Sequence, residues 1–357
     1  MQFTRREEKE LVRALEKVAP GTELREGLEH ILSARTGALI VIGDYEEVQS
    51  LCNGGFELSV EFTPQRLFEL AKMDGAIIMD DAISRILRAN VHLVPDPTLP
   101  TSETGMRHRT AERVARQTKA LVISISQRRD IISLYLDGIK YALQDIRVLL
   151  AKANQALQTL EKYKIRLDEV LANLSALEFE DLATLLDVVT VLQRSEMVRR
   201  VSREVERYIS ELGTEGRLIR LQLDELVGTA DEQSVMIIKD YAVDPKKVNE
   251  ISEALADLTP EELLDLNEIA KILGYEEVVD LLEQPVHSRG YRLLSKIPRL
   301  YNDVIEKIVT KFHNLQSIMN ASIEELDSVE GVGPIRAKAI KDGLQRLKEY
   351  NILERYI

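Results

Sequence analysis

Asp74-Gly75-Ala76-Ile77-Ile78-Met79 sets a carboxylate and a glycine directly ahead of an apolar run of strand length. Further along, Gly105-Met106-Arg107-His108-Arg109-Thr110-Ala111 puts two arginines, a histidine and a threonine in four consecutive positions where helical spacing begins. Ala38 to Gly43, Val91 to Val94, Leu121 to Ser126 and Ile131 to Leu136 repeat the short apolar pattern of buried strands. Between them lie helical patterns: Glu7 to Val18, stopped by Pro20-Gly21; Leu24 to Leu32; and a helix through Met73 with Thr63 as N-cap and Pro64 in the first turn. Strands interleaved with helices predict an α/β domain, a mixed sheet covered by helices, over residues 1–140.

Beyond Lys140 the period changes. Apolar residues at 143, 146, 150, 153, 157, 160, 167, 171 and 174 form a heptad-like seam, with Lys164 as a polar interruption. Helical spacing continues through Val198 to Leu226 and Val248 to Leu258, so residues 141–285 are expected to form an all-α helical spine. Pro285 to Pro298 is rich in breakers and suits a linker or a helix break. Residues 286–357 are expected to be a small all-α domain built on Leu326 to Ile340. There Gly331-Val332-Gly333-Pro334 is flanked by apolar Val329, Ala337 and Ile340, the pattern of a helix-hairpin-helix. Such a turn offers backbone N–H groups at Gly331, Val332 and Gly333 to one DNA phosphate, with Arg336 and Lys338 adding charge. Asp327 and Glu330 leave a protein-binding hairpin open as the other reading.

The chain has 357 residues, 45% hydrophobic and 30% charged, with a formal net charge of -13. An acidic chain binds nucleic acid only through a local basic surface. Its one cysteine, Cys52, allows no intrachain disulfide and fits a cytoplasmic setting. The charged start MQFTRREEKELVRAL has no apolar signal core, and no run reaches the ~18 apolar residues of a membrane span.

The paired motifs are the chemistry of a nucleotide site. Arginine forks at Arg107 and Arg109 suit phosphate oxygens, and His108 and Thr110 are further donors. Cations at a helix N-terminus oppose its dipole unless an anion sits there, which points to a bound phosphate. Asp74 could hold a divalent metal or take a proton, and Gly75 lets backbone approach a ligand. Read alone, Asp74 is also an ordinary turn residue. Asp80 and Asp81 are a second acidic pair, open to metal binding or to turn and cap roles. No Walker motif and no G-x-G-x-x-G after a strand is present. The five histidines lack metal-ligand spacing.

The motifs Asp74-Gly75-Ala76 and Arg107-His108-Arg109-Thr110-Ala111 resemble the signatures of the diadenylate cyclases, and the similarity spans the whole chain in domain order. The resemblance implies an enzyme that condenses two ATP into cyclic di-AMP and two pyrophosphates, with Mg2+ or Mn2+ as cofactor. It gives Asp74 the catalytic and metal-binding part. It places Gly75, Ala76, Arg107, His108, Arg109 and Thr110 around ATP, Ser126 and Arg128 near the triphosphate, and Leu93 against adenine, although Leu93 alone reads as core. It further implies a homo-octamer without membrane anchor, whose hairpin domain binds branched DNA and thereby lowers cyclase output. The chain departs at Met106, where the family commonly carries threonine. Two other readings remain: a DNA-binding scaffold whose nucleotide domain senses without turnover, and a nuclease using Asp74, Asp80 and Asp81.

Overall fold

The computed structural model describes residues 5–43, 46–228, 230–276 and 278–354; residues 1–4 of the charged opening stretch lie outside them. The chain forms two compact units. One comprises residues 1–155 and 205–221, the other residues 156–204 and 222–357.

In the first unit, helices α1 (Arg5–Lys17) and α2 (Glu23–Ser33) lead into strand β1 (Ala38–Ile42). Then follow α3 (Glu46–Ser50), β2 (Cys52–Asn53), β3 (Phe56–Glu61), α4 (Pro64–Leu70), β4 (Ala76–Met79), β5 (Arg85–Leu93), α5 (Met106–Thr118), β6 (Leu121–Ser126), β7 (Ile131–Leu136) and β8 (Ile139–Ala142). The strands make one sheet of order β2-β5-β4-β1-β6-β7-β8, with β3 also paired to β5. Only β1 and β4 run parallel among the described pairs. Alternation along the strands divides the core. Ile40, Ile42, Ile77, Met79, Ile123 and Ile125 face α1, α2 and α4. Leu39, Val41, Ala76, Ile78 and Val122 face α5 on the other side. This is the three-layer arrangement that period-two strands between amphipathic helices dictate. Thr63 caps α4 by accepting from Arg66 N at 3.2 Å, as its sequence position predicts.

Helix α6 (Ile146–Glu180) and helix α7 (Leu185–Leu212) form the long helices of the spine; α8 (Arg217–Val227), α9 (Ala230–Tyr241), α10 (Val248–Asp257), α11 (Pro260–Leu264) and α12 (Leu266–Ile272) follow. The returning segment 205–221 is built into the first unit. Its buried Glu211 accepts from Tyr141 Oη at 2.5 Å and Gln144 N at 3.1 Å. Thr214 N donates to Pro20 O at 3.2 Å.

The second unit closes with α13 (Tyr291–Ser295), α14 (Asn302–Phe312), α15 (Leu315–Asn320), α16 (Ile323–Asp327) and α17 (Pro334–Glu354). Of the two readings of 285–298, a linker or a helix break, the structure has the break: Leu293, Leu294 and Ile297 are buried with Val304, Ile308, Val332 and Ile340. Breakers there set turns between short packed helices rather than a loose connection. Fully buried Arg292 pairs with Glu178 and donates to Ser175 Oγ at 3.0 Å, while Asp240 accepts from Tyr291 N at 2.6 Å and Arg292 N at 3.0 Å.

The α13–α14 connection repeats the α16–α17 hairpin at a constant offset. Ile297 N to Leu294 O (3.0 Å), Leu300 N to Ile297 O (3.3 Å) and Ile305 N to Tyr301 O (3.0 Å) match Val329 N to Leu326 O (3.1 Å), Val332 N to Val329 O (3.0 Å) and Ala337 N to Gly333 O (3.0 Å). Arg299 and Gly331 occupy equivalent left-handed positions, at φ 65° and 90°. No helix among the described residues is long and apolar enough to cross a membrane.

Candidate nucleotide site and hairpin surface

Strand register brings distant residues to one edge of the sheet. Parallel β1 and β4 pair Ile40 with Ile77, so Gly37 and Asp74 both precede the starts of these neighbouring strands. Antiparallel β1 and β6 pair Ala38 with Ile125, which sets Ser126 on the other side of Gly37. Asp74, Gly37 and Ser126 therefore lie at one edge of the sheet, where β1 and β4 begin and β6 ends. Asp74 is exposed, in the turn ahead of β4, and has no hydrogen-bond or ion-pair partner among the described residues. Gly75 is held against β5. A Cβ there would overlap the backbone of Asn90 and stand 2.6 Å from Val91 N, so the close approach requires glycine. Asn90 adopts φ 54° at a break in the β4–β5 register, and its side-chain oxygen accepts from Gly75 N at 3.2 Å. Asparagine is among the few non-glycine residues suited to that backbone region. Ala76 is buried beneath the turn.

Helix α5 brings the cations to the same edge. Gly105 is its N-cap, no side chain caps it, and its first turn holds no acid. The Arg107 guanidinium lies in the space a Cβ on Gly37 would fill, which seats it over Gly37 at that edge. Arg109 and Arg128 are exposed and Thr110 is half-buried. None of Arg107, Arg109 and Arg128 has a carboxylate partner among the described residues. Unpaired guanidinium groups beside an uncapped helix N-terminus, in a chain of net charge -13, make a site for an anion with several oxygens. The loop before α5 is tied to the helix itself. Buried Glu112 accepts from Thr101 Oγ1 at 2.5 Å and Ser102 N at 3.0 Å, and Arg113 Nε donates to Leu99 O at 2.9 Å.

His108 turns inward. Its Nδ1 lies 3.0 Å from Tyr135 Oη, which is 2.8 Å from Glu103 Oε1, which pairs with Lys140 Nζ at 2.5 Å. Burial pushes the His108 pKa down; the Glu103 charge opposes that, and Lys140, Arg107 and Arg129 add to it. The importance of Asn90, Glu103, Glu112, Tyr135 and Lys140 is invisible to motif reading, since each acts through a partner elsewhere in the chain. The positive φ of Asn90 was the one locally available hint, because asparagine favours it.

Two sequence candidates, Asp80 and Asp81, lie elsewhere. Asp80 and Asp81 follow β4, whereas Asp74 precedes it, and six residues of extended chain span roughly 20 Å. Asp80 Oδ1 accepts from Ser84 N and Arg85 N, each at 2.8 Å, and Asp81 pairs with Lys17 at 2.9 Å. They are turn and pairing residues, and the three-aspartate cluster a nuclease needs does not form. Leu93 is 5% exposed and packs in the core with Val48, Leu51 and Val91.

At the C-terminal hairpin, Gly331 at φ 90° needs glycine. Gly333 is exposed and has open space where a Cβ would stand. Val332 supports the turn from within: its side chain is fully buried and its N–H is used on Val329 O. Arg336 Nη1 braces the turn by donating to Gly331 O at 2.6 Å, and Lys338 is exposed. The solvent face is thus glycine backbone with Lys338, and Ile335 at 86% exposure beside it.

Three family descriptions match successive parts of the chain. Residues 25–140 match the DisA bacterial checkpoint controller nucleotide-binding family, residues 143–282 its linker region, and residues 314–343 the helix-hairpin-helix motif. A DNA integrity scanning protein DisA of Acetivibrio thermocellus is 55% identical over 98% of both chains. The chain belongs to the DisA family. A DisA of Symbiobacterium thermophilum is 56% identical over 96% of this chain and 97% of its own. A solved structure described as the hypothetical membrane spanning protein from Bacillus cereus aligns with 34% of this chain and 62% of its own, at 26% identity and a TM-score of 0.31.

Proposed function

We propose that this chain is a diadenylate cyclase that joins two ATP into cyclic di-AMP with release of two pyrophosphates. The observation that carries the reading is the unpaired Arg107, set over Gly37 at the sheet edge that carries Asp74 and the uncapped start of α5. Arg107, Arg109 and Arg128, with the first N–H groups of α5, suit the triphosphate oxygens and the charge that grows on the departing pyrophosphate. Ser126 and Thr110 are neutral donors at the same edge. Each reaction step forms a bond between a ribose 3′-oxygen and the partner's α-phosphorus and breaks the α–β phosphoanhydride. The hydroxyl proton is lost, and pyrophosphate carries away the electron pair. One edge holds one nucleotide, so two chains must face each other to bring both attacks in line; a homo-octamer of such pairs is the assembly we propose.

A divalent cation fits Asp74. No group of three or more His, Cys, Asp or Glu stands together among the described residues. Mg2+ needs none when one carboxylate and substrate phosphates complete its shell. When bound, Mg2+ or Mn2+ would neutralise phosphate charge.

The hairpin unit is proposed to bind branched DNA through backbone N–H groups and Lys338, and binding there to lower cyclase output. A cytoplasmic setting follows the reduced single cysteine. The competing reading is a sensor that binds ATP without turnover. Incubation of the full chain with ATP and Mn2+, followed by chromatography, separates the two. Cyclic di-AMP should form and should fall at least about 100-fold in Asp74→Asn with ATP still bound. ATP retained without product in the unaltered chain would establish the sensor instead.

A further inference from the structure

We infer that Tyr135, Glu103 and Lys140 are positioning residues for the reaction proposed above, on which the inference rests. They hold His108 protonated at Nδ1, so that Nε2 offers a lone pair to a ribose hydroxyl of the bound nucleotide.

The direction of each hydrogen bond follows from its neighbour. Burial opposes ionisation of Glu103, but hydrogen bonds from Lys140 and Tyr135 prevail and hold its carboxyl below the usual range. An ionised carboxylate only accepts. Tyr135, whose pKa burial and Glu103 push up, therefore spends its O–H on Glu103 at 2.8 Å. The phenol oxygen is left to accept, and the group 3.0 Å from it is His108 Nδ1, which must carry a proton. Four charged groups surround the ring: Glu103 from the loop before α5, Lys140 from β8, Arg107 from α5 itself and Arg129 from the β6–β7 turn. With burial, three cations against one anion keep the imidazole neutral near pH 7. Its single proton is then on Nδ1, and Nε2 is bare.

The ring lies at the anion site. Its Cδ2, bonded to Nε2, is 3.5 Å from where a Cβ on Gly105 would stand, at the N-cap of α5. Nδ1 is engaged with fully buried Tyr135, so Nε2 is directed away from it. Phosphate oxygens offer no proton to a bare nitrogen. The donors of ATP are its ribose hydroxyls and the adenine amino group, and the hydroxyls adjoin the phosphates. On this inference the arginines take the phosphates, and His108, read from the sequence as a phosphate donor, accepts from a ribose hydroxyl instead.

Solid-state 15N spectra of the full chain labelled at histidine test this without nucleotide. His108→Asn identifies the signal among the five histidines. At pH 8 the unaltered chain should show His108 protonated at Nδ1. Tyr135→Phe, which removes only the hydroxyl, should move the proton to Nε2. Glu103→Gln should do the same, because an amide can donate to the phenol and turn its O–H toward His108. In the cyclase assay both variants should lose about 100-fold in kcat, while KM for ATP stays within about threefold. A spectrum unchanged by Tyr135→Phe, or an unaltered chain protonated at Nε2, overturns the inference and leaves the cyclase reading standing. A raised KM with unchanged kcat also overturns it, since His108 would then be a phosphate donor. An inactive unaltered chain refutes the proposed function, and with it the hydroxyl contact.

Discussion

Replacing Gly75 by alanine should separate catalysis from folding. The added Cβ would stand 2.6 Å from Val91 N and overlap Asn90, where ordinary contact begins at 3.4 Å. Relief of the Val91 contact alone needs about 0.8 Å of movement, and both sides are backbone, so no side chain can swing away. The β4–β5 ladder is held by Ala76 and Ile78, so the yielding part is the turn that carries Asp74. Overpacking of this kind costs about 1–3 kcal/mol, a fraction of the roughly 5–15 kcal/mol of a folded domain. At about 2–4 °C per kcal/mol, a 2 kcal/mol loss lowers Tm by about 4–8 °C. A catalytic carboxylate displaced by about 1 Å loses on the order of 100-fold in rate. Cyclic di-AMP formation by chromatography, beside a thermal melt and ATP binding by calorimetry, reads all three effects. Wild-type turnover in a chain with lowered Tm would refute the assignment of Asp74, since its turn would have moved without consequence.

Two further outcomes are expected. Gly331→Ala forces an alanine to φ 90°; at about 1–2 kcal/mol for such a residue, it should weaken binding of branched DNA in a gel-shift titration while ATP turnover without DNA is unchanged. The Asp240 carboxyl is pushed up to about 7, first by burial and then by Glu178. A raised folded-state value means that its contribution is fully present below the unfolded pKa near 4 and is lost as pH rises through about 7. Asp240→Asn removes that dependence, so its unfolding free energy relative to the unaltered chain should rise between pH 4.5 and pH 7.5, by roughly 1.4 kcal/mol per pH unit at most, and its relative Tm with it. A constant difference across that range would show that Asp240 does not titrate there.

The sequence by itself determined the elements whose cause is local. β1, β4, β6 and β7 are short apolar runs, Thr63-Pro64 announces α4, and the heptad seam marks α6. It also marked Asp74 and the Arg107–Thr110 cluster, because cations at a helix start conflict with the dipole unless an anion is bound. β3 escaped a reading keyed to continuous apolar runs: Phe56 to Glu61 alternates apolar and polar, with Leu58 and Val60 half-buried against the core and Phe56 57% exposed. Tertiary structure alone decided which residues stand together. Register brought Gly37, Asp74 and Ser126 to one edge of the sheet and left Asp80 and Asp81 at the other end of β4. Hydrogen bonds joined His108 to Tyr135 and Tyr135 to Glu103. Periodicity reports how each segment meets its own surroundings. Pairing between strands, and the donor each buried acceptor finds, depend on chain contacts remote in sequence, which no local pattern encodes.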